Sequence, residues 1–197
     1  MTELLFATNN SHKIEELKPL LPEGIQLITL KQAGIVQDIP EPHNTLEANA
    51  REKMEVIYRL TGKDCFSEDT GLEVEALGGA PGVRSARYAG EGATHAQNIS
   101  KLLDALEGSA NRRARFRTVI ALQYRGAAYY FEGICPGQIA MQPTGAGGFG
   151  YDPVFIPDGD HRSFAQMNLA EKSRFSHRAR AVAELISFLN SAAVKAN

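Results

Sequence analysis

The chain has 197 residues, of which 43% are hydrophobic and 22% charged, and its formal net charge is -2. These values are ordinary for a globular protein, so we expect a single domain over residues 1–197. The charge excludes a global basic footprint for nucleic acid, and no apolar stretch is long enough to cross a bilayer. The first residues do not have the pattern of a secretory signal, so we expect a soluble, cytoplasmic protein.

The two cysteines, Cys65 and Cys135, lie in apolar segments and lack metal-ligand spacing. Reduced thiols are the favoured interpretation, and a structural disulfide is the alternative. With so little net charge, an anionic substrate must be captured by a local cluster of Lys and Arg.

The apolar pattern predicts strands and helices that are interleaved without strict βαβ order. The expected elements are strand 4–7, a helix after Ser11, strand 25–30, extended segment 40–42, a helix capped by Asn44 and ended by Gly62, turn 67–71, strand 72–77, loop 78–92, a helix capped by Thr94 and ended by Gly108, strands 113–124 and 127–134 joined at Gly126, loop 143–153 and helix 178–189. This order predicts an α/β fold with a mixed central sheet flanked by helices.

The first candidate site lies between the first strand and the first helix. A helix N-terminus offers unpaired N–H groups to a phosphate, and a lysine one turn into the helix can reach a second phosphate. The segment has no glycine, so it is neither a Walker loop nor a dinucleotide fingerprint. An ordinary capped turn is the alternative. The segment reads Thr8-Asn9-Asn10-Ser11-His12-Lys13.

The second candidate site is acidic. Glu68 and Asp69 are followed by Thr70 in a short segment that ends one apolar run and begins the next. Carboxylates suit Mg²⁺, and Glu41, in the rigid Pro-Glu-Pro segment, is the candidate to pair with Asp69. A solvated turn is the alternative. Lys53, on the helix that Asn44 caps, is either phosphate-facing or solvated.

The third and fourth candidate sites lie near the C-terminal end. Glycines on both sides of Phe149 free the backbone to present the ring to a base, and Asp152 can accept from a ring N–H. A tight turn with Phe149 in the core is the alternative. Lys172 and the pair His177-Arg178 supply donors for a carbonyl-rich base or a phosphate, and a surface cap is the alternative for the histidine.

Taken together, these residues resemble the inosine/xanthosine triphosphate pyrophosphatase family over essentially the whole chain. The family patterns that match in order are T-x-N-x-x-K at Thr8 to Lys13, T-x-x-x-N-A at Thr45 to Ala50, D/E-D-S/T-G-L at Glu68 to Leu72, G-G-x-P-G at Gly78 to Gly82, S-A-R-Y at Ser85 to Tyr88, G-G-F-G-Y-D-P-x-F at Gly147 to Phe155, and E-K-x-x-x-S-H-R at Glu171 to Arg178.

The resemblance implies an enzyme that hydrolyses ITP, dITP and XTP to the monophosphate and pyrophosphate. Water attacks the α-phosphorus with the help of Mg²⁺, and deaminated purines are kept out of DNA and RNA. Asp69 is the implied catalytic base and Mg²⁺ ligand, with Glu41 as the second ligand. The implied triphosphate-binding residues are Thr8, Asn9, Asn10, Ser11, His12, Lys13, Lys53 and Thr70. The implied base-binding residues are Phe149, Gly150, Tyr151, Asp152, Lys172, His177 and Arg178.

The resemblance also implies two lobes with an active-site cleft between them, and a homodimer. The expected partner is a small nucleotide, with no nucleic acid and no membrane. Donors from His177 and Arg178 would favour the O6 acceptor of inosine over the amine of adenine. Lys172 is the candidate that excludes guanine, through its 2-amine.

Two alternatives stay open. A Maf-like nucleotide pyrophosphatase would act on modified pyrimidines or methylated bases, but the G-G-F-G-Y-D and S-H-R patterns argue against it. A nucleotide-binding regulator without turnover would have no need for Asp69, Glu41 and Lys13 together.

Overall fold

The computed structural model describes residues 2–37 and 39–194. Its strands are β1 Thr2–Phe6, β2 Ile25–Thr29, β3 Cys65–Val74, β4 Pro81–Gly82, β5 Arg113–Tyr124, β6 Ala127–Ile139 and β7 Phe155–Pro157. Its α-helices are α1 Ser11–Leu17, α2 Leu46–Thr61, α3 His95–Ala105, α4 Leu169–Ser173 and α5 His177–Val194. None of the helices in these ranges is long and apolar enough to span a membrane.

The strands form one mixed sheet. Its order is β2-β1-β3-β5-β6-β7, with β4 added on β3. Strand β1 runs parallel to β2 and β3, whereas β4 is antiparallel to β3 and β7 is antiparallel to β6. Phe6 and Phe66 are direct partners in the register, and their rings stack with centroids 4.4 Å apart. The predicted α/β fold with a mixed sheet is confirmed.

The chain divides into two compact units. Of the described residues, unit 1 comprises 2–37, 39–69, 118–133 and 178–194, and unit 2 comprises Thr70–Arg117 and Ile134–His177. Strands β3, β5 and β6 each contribute residues to both units.

The core of unit 1 joins the start of the chain to its last helix. Leu4 and Phe6 of β1 are fully buried with Leu17 of α1. The apolar face of α5 closes this core through residues three and four positions apart, as expected for an amphipathic helix. These residues are Ala181, Val182, Leu185 and Leu189.

The core of unit 2 holds the glycine-rich loop. Tyr151 and Val154 are buried there with Phe164 and with Leu102 of α3. Each such side chain contributes about 1.5–3 kcal/mol when it is removed from water. The loop is therefore attached at its C-terminal end to a packed core, while Gly145–Gly148 are exposed.

The predicted turn at 67–71 is wrong, because β3 runs through it without interruption. Glycine is required at position 71 because the backbones of β3 and β4 approach closely there. A Cβ on Gly71 would lie 2.7 Å from the carbonyl oxygen of Gly82, where β4 pairs with β3. Glu68 and Asp69 are consequently strand residues, held by the backbone pairing of the sheet.

The predicted N-cap of α2 is also wrong by one residue. Thr45, not Asn44, is the cap, since its hydroxyl accepts the N–H of Ala48. The end of α2 at Gly62 is confirmed, with a φ of 64°. The capping box that joins Thr94 to Gln97 at the start of α3 is confirmed as well.

Candidate active site

Two carboxylates of unit 1 meet at one ammonium group. Lys53 Nζ lies 2.5 Å from Glu41 Oε1 and 3.5 Å from Asp69 Oδ1, and it donates to the carbonyl oxygen of Glu68 at 2.7 Å. Lys53 projects from the buried face of α2, and Asp69 from β3. The structure therefore brings together the two carboxylates that the sequence pairs, around a position held by a cation.

Asn49 ties the same two segments together. It precedes Lys53 by one turn, so both side chains share one face of α2. The Asn49 amide donates to Asp69 Oδ2 at 3.2 Å and to the carbonyl oxygen of His43 at 3.2 Å, and its oxygen accepts the His43 N–H at 2.9 Å. A buried amide bonded in this way fixes the orientation of the Asp69 carboxylate.

The electrostatics of this group suit a proton acceptor. Burial raises the pKa of the Asp69 carboxyl above its ordinary value, against the pull of Lys53, and the charge of Glu41 adds to the rise. Burial disfavours the charged form of Lys53, but Asp69 and Glu41 outweigh it and the pKa of Lys53 is raised. Asp69 is thus a more basic carboxylate than an exposed aspartate, held beside a permanent cation.

A second group of charged side chains in unit 1 forms ion pairs with one another. Arg178 donates from Nε to both oxygens of Glu68 at 3.0 Å and from Nη2 to Oε1 at 2.9 Å, and its Nη1 bonds Glu16. Lys13 Nζ lies 3.2 Å from Glu68 Oε1. Arg178 and Glu68 are each 1% exposed. The sequence predicts that the Arg178 guanidinium binds the edge of the base. In the structure this group is hydrogen-bonded to carboxylates, and these bonds would have to break before it could bind a base.

The same contacts keep Glu68 ionised. Burial alone would raise its pKa, but Arg178 and Lys13 outweigh burial and lower the pKa of Glu68 to about 2. Burial lowers the pKa of Lys13, with Glu68 opposing. Glu68 is therefore a counter-ion for two cations.

The segment Thr8–Lys13 forms a capped turn at the start of α1. Asn10 is the N-cap, because its Oδ1 accepts the Lys13 N–H at 3.2 Å, and its own N–H donates to Thr8 Oγ1 at 3.2 Å. The side chains of Asn9 and Ser11 are exposed. A capped turn and a phosphate-binding segment share this geometry, so the phosphate-binding role of these residues stays a prediction.

In unit 2, three of the predicted base-binding residues, Phe149, Asp152 and Lys172, form one cluster. Asp152 Oδ2 accepts the Phe149 N–H at 2.9 Å and the Lys172 ammonium at 2.6 Å. Lys172 Nζ lies 5.1 Å from the ring centroid of Phe149 and 5.2 Å from that of Phe164, distances typical of cation–π contacts. Asp152 and Lys172 are buried, and Phe149 is half-buried. An aromatic face and a hydrogen-bonding ion pair are thus held side by side.

Local backbone features explain this placement. Gly148 has a φ of 70°, and a Cβ there would lie 2.1 Å from Asp152 Oδ2, so only glycine fits. Lys172 projects from α4, whose first turn is fixed by a reciprocal capping box between Asn168 and Glu171. Sequence analysis did not predict α4, which has only five residues.

Two further predicted residues have packed side chains in unit 2. Tyr151 donates its hydroxyl to the carbonyl oxygen of Ser85 at 2.9 Å, and burial raises the pKa of this phenol. The His177 ring stacks on Phe116, with centroids 4.6 Å apart and planes 17° apart. Tyr151 therefore anchors the loop through its side chain, while its contact with a base stays a prediction.

Comparison with known proteins gives these two sites their context. The sequence model described as the Ham1 family matches residues 4–188. The chain belongs to the Ham1 family. It is 50% identical over 190 residues to a dITP/XTP pyrophosphatase of Porphyromonas gingivalis, covering 96% of this chain and 98% of that protein. It is 48% identical over 188 residues to a dITP/XTP pyrophosphatase of Christiangramia forsetii, covering 95% and 99%.

Solved structures agree with this assignment to the Ham1 family. A Ham1 protein from Staphylococcus aureus superposes with a TM-score of 0.88 at 37% identity, covering 96% of this chain and 99% of that one. A HAM1 protein from Coxiella burnetii gives a TM-score of 0.89 at 38% identity, covering 97% and 100%.

Sequence reasoning missed two site residues of this Ham1-family chain, Asn49 and Glu16. Asn49 lies in the T-x-x-x-N-A pattern at Thr45 to Ala50. Its position one helical turn before Lys53 is the signal that indicates a role in the site. Glu16 lies three residues after Lys13 on α1 and is 9% exposed, so a charged residue on the buried face of a short helix was the available signal.

Proposed function

We propose that this chain hydrolyses ITP, dITP and XTP to the nucleoside monophosphate and pyrophosphate, and so keeps deaminated purines out of DNA and RNA. The observation that carries the proposal is the pair of carboxylates around Lys53, the buried Asp69 and the partly exposed Glu41, because it supplies a basic carboxylate next to cations for a polyphosphate. The naming of the relatives as dITP/XTP pyrophosphatases supports the substrate class.

The residues present fit Mg²⁺ as the cofactor. Among residues 2–37 and 39–194, no group of three or more His, Cys, Asp or Glu side chains converges on a metal position. Mg²⁺ is commonly held by one or two carboxylates together with waters and substrate phosphates, which is what Asp69 and Glu41 provide. When bound, Mg²⁺ would neutralise charge on the phosphates.

Asp69 acts as the general base in this proposal. The water oxygen forms a bond to the α-phosphorus, the bond from that phosphorus to the bridging oxygen breaks, and pyrophosphate leaves with the electron pair. The water proton passes to the Asp69 carboxylate, which Asn49 orients. General-base catalysis of this kind contributes about 10²–10⁴-fold to the rate.

The triphosphate is bound by cations and by neutral donors. Lys13 and Lys53 supply the positive charge. Arg178 contributes indirectly, because it holds Glu68 beside Lys13. The remaining proposed triphosphate ligands are Thr8, Asn9, Asn10, Ser11, His12 and Thr70.

The base is bound in unit 2. Phe149 stacks on the purine, which is worth about 1–3 kcal/mol. His177 and the backbone N–H of Tyr151 supply donors for O6 beside Gly150, and the Lys172–Asp152 pair supplies a donor and an acceptor. An adenine amine in the place of O6 would meet donors only, and a buried mismatch of this kind discriminates strongly.

The test is pyrophosphate release with Mg²⁺ from dITP, XTP, dGTP, dATP and dCTP. We expect fast release from dITP and XTP, and a loss of about a thousandfold in Asp69→Asn. Asp104→Asn, an exposed carboxylate change on α3, is the matched control and should keep wild-type activity.

Two outcomes would contradict the proposal. Turnover chiefly of a pyrimidine triphosphate would indicate the Maf-like alternative. Nucleotide binding with no turnover of any triphosphate would indicate a regulator.

We also propose a cytoplasmic homodimer whose partner is the small nucleotide alone. The family resemblance supports the dimer, and the net charge of -2 supports the absence of nucleic acid. Sedimentation equilibrium would reveal a monomer if the dimer proposal is wrong.

A further inference from the structure

The glycine-rich loop that carries Phe149 is bonded to a residue outside all the motifs described above. His95, the first residue of α3, accepts the Gly150 N–H at its Nδ1, with a distance of 3.2 Å. The His95 and Phe149 rings have centroids 6.4 Å apart. Since Nδ1 accepts this hydrogen bond, the ring carries its proton on Nε2.

The first turn of α3 is a rigid support for this bond. Asn98, which is 2% exposed, accepts the Ala89 N–H at 2.7 Å and donates to the carbonyl oxygen of Ala86 at 3.0 Å. Ile99 and Leu102 are buried in the core of unit 2. His95 therefore projects from a helix end that is held by hydrogen bonds to Ala86 and Ala89, outside the loop.

The loop is also held by backbone hydrogen bonds, from the Gly147 N–H to the carbonyl oxygen of Ala165 at 3.0 Å and from the Asp152 N–H to that of Phe149 at 3.2 Å. Gly148 and Gly150 both have positive φ values, 70° and 61°, and Gly145–Gly148 are exposed. A cavity of about 610 Å³ is lined by α3 on one side and by the loop on the other. Glycines give this backbone few side-chain contacts beside the cavity, so the hydrogen bond to α3 restricts it further.

We propose that His95 is a positioning residue for Phe149, which fixes the aromatic face on which the purine stacks. The inference rests on the proposed function, because it assumes that Phe149 stacks on the base. Asp152 holds the Phe149 N–H from within the loop, and His95 holds the next N–H from α3. Together they fix the backbone on both sides of the Phe149 Cα, and hence the direction in which its side chain leaves the backbone.

The experiment uses two amide substitutions that differ in the place of their polar atoms. His95→Asn puts an amide oxygen where Nδ1 lies, so it can still accept the Gly150 N–H. His95→Gln puts its amide where Nε2 lies and loses the bond. Ser100→Ala, which changes another residue lining the same cavity, is the control.

We measure IMP affinity by calorimetry, and KM and kcat for dITP. For His95→Gln we expect a KM and an IMP dissociation constant raised by roughly three- to tenfold, the effect of one hydrogen bond, with kcat retained. His95→Asn and Ser100→Ala should match the wild type. Inhibition by tripolyphosphate, which has no base, should be the same in all four proteins.

The outcomes separate this inference from the proposed function. If the wild type binds IMP and hydrolyses dITP but His95→Gln does so equally well, the role of His95 is wrong and the proposed function stands. If His95→Gln and His95→Asn are equally impaired, the hydrogen bond is not the cause. If the wild type neither binds IMP nor hydrolyses dITP, the proposed function fails first.

Discussion

The charged cluster of unit 1 and the glycine-rich loop of unit 2 differ in how far apart in the chain their bonded residues lie. In unit 1, Arg178, Glu68 and Lys13 are contributed by two helices and a strand, and they bond one another away from water. In unit 2, Phe149 and Asp152 belong to one glycine-rich loop, where Asp152 accepts the Phe149 N–H and the ammonium of Lys172 on the short helix α4. The first arrangement joins residues as far as 162 positions apart in the chain, whereas the second joins residues at most 20 positions apart.

This difference matches two kinds of task. Groups that take part in chemistry must keep their geometry, and helices and strands hold them more rigidly than loops do. A surface that selects a flat base needs a well-oriented ring, and glycines allow the backbone to supply it. We therefore expect the cluster of unit 1 to lose more stability than an exposed ion pair when one of its charged residues is replaced.

Removal of a charge from the cluster should have the largest effect. Glu68→Gln leaves the buried Arg178 and the largely buried Lys13 without their shared counter-ion, so we expect a loss of about 3–5 kcal/mol in the free energy of unfolding. Urea unfolding followed by circular dichroism measures it. Glu55→Gln, which removes an exposed partner of Arg51 on α2, should leave the urea midpoint unchanged. Equal losses in the two variants would show that burial of the cluster is irrelevant.

The pH dependence of stability should follow the same carboxylate. The pKa of Glu68 is lowered to about 2 from an ordinary value of 4.5. A depressed carboxyl pKa gives stability that is fully present above the unfolded value and is lost as the pH falls through the folded value. We therefore expect the gap in stability between the wild type and Glu68→Gln to narrow as the pH falls from about 4.5 to about 2. A gap that stays constant over this window would contradict the role of Glu68 as counter-ion.

A change in the loop should have a smaller effect, confined to base binding. For Phe149→Leu we expect KM for dITP to rise by about tenfold with kcat little changed, because stacking acts on substrate and transition state alike. Inhibition by tripolyphosphate should be unaffected. Phe131→Leu, which alters a ring packed on Phe188 in unit 1, is the control. A fall in kcat as large as the rise in KM would mean that Phe149 does more than stack.

The smallest effect is expected at an exposed ion pair of unit 2. Arg113 makes two bonds to Asp158, at 2.8 Å and 2.9 Å, but both side chains are about half exposed. Exposed pairs contribute little, so Arg113→Gln should keep the urea midpoint of the wild type. A destabilisation close to that of Glu68→Gln would overturn the contrast drawn between buried and exposed pairs.

Features coded by neighbouring residues could be predicted from the sequence. Strand β5 has the predicted bounds, and the capping box of Thr94 with Gln97 is present. Phe149 and Asp152 lie within one sequence pattern, and in the structure the Phe149 N–H donates to Asp152. In each case, the residues that interact are a few positions apart, so their spacing carries the information.

Long-range pairings could not be predicted in this way. Glu16 and Arg178 are 162 positions apart, and no local pattern records that they bond. The segment containing Glu68 and Asp69 has the composition of a turn, yet it is part of strand β3, which lies between β1 and β5 in the sheet. The short elements β7 and α4 were missed because three and five residues are too few to show a period.

The spacing of residues along helix α2 sets the geometry around Asp69. Asn49 and Lys53 reach Asp69 from successive turns, so their separation of one helical turn is part of the site. One residue inserted between them would rotate Lys53 about 100° around the helix axis and carry its ammonium away from both carboxylates. The length of this segment should therefore be as restricted during evolution as the identity of the residues at its two ends.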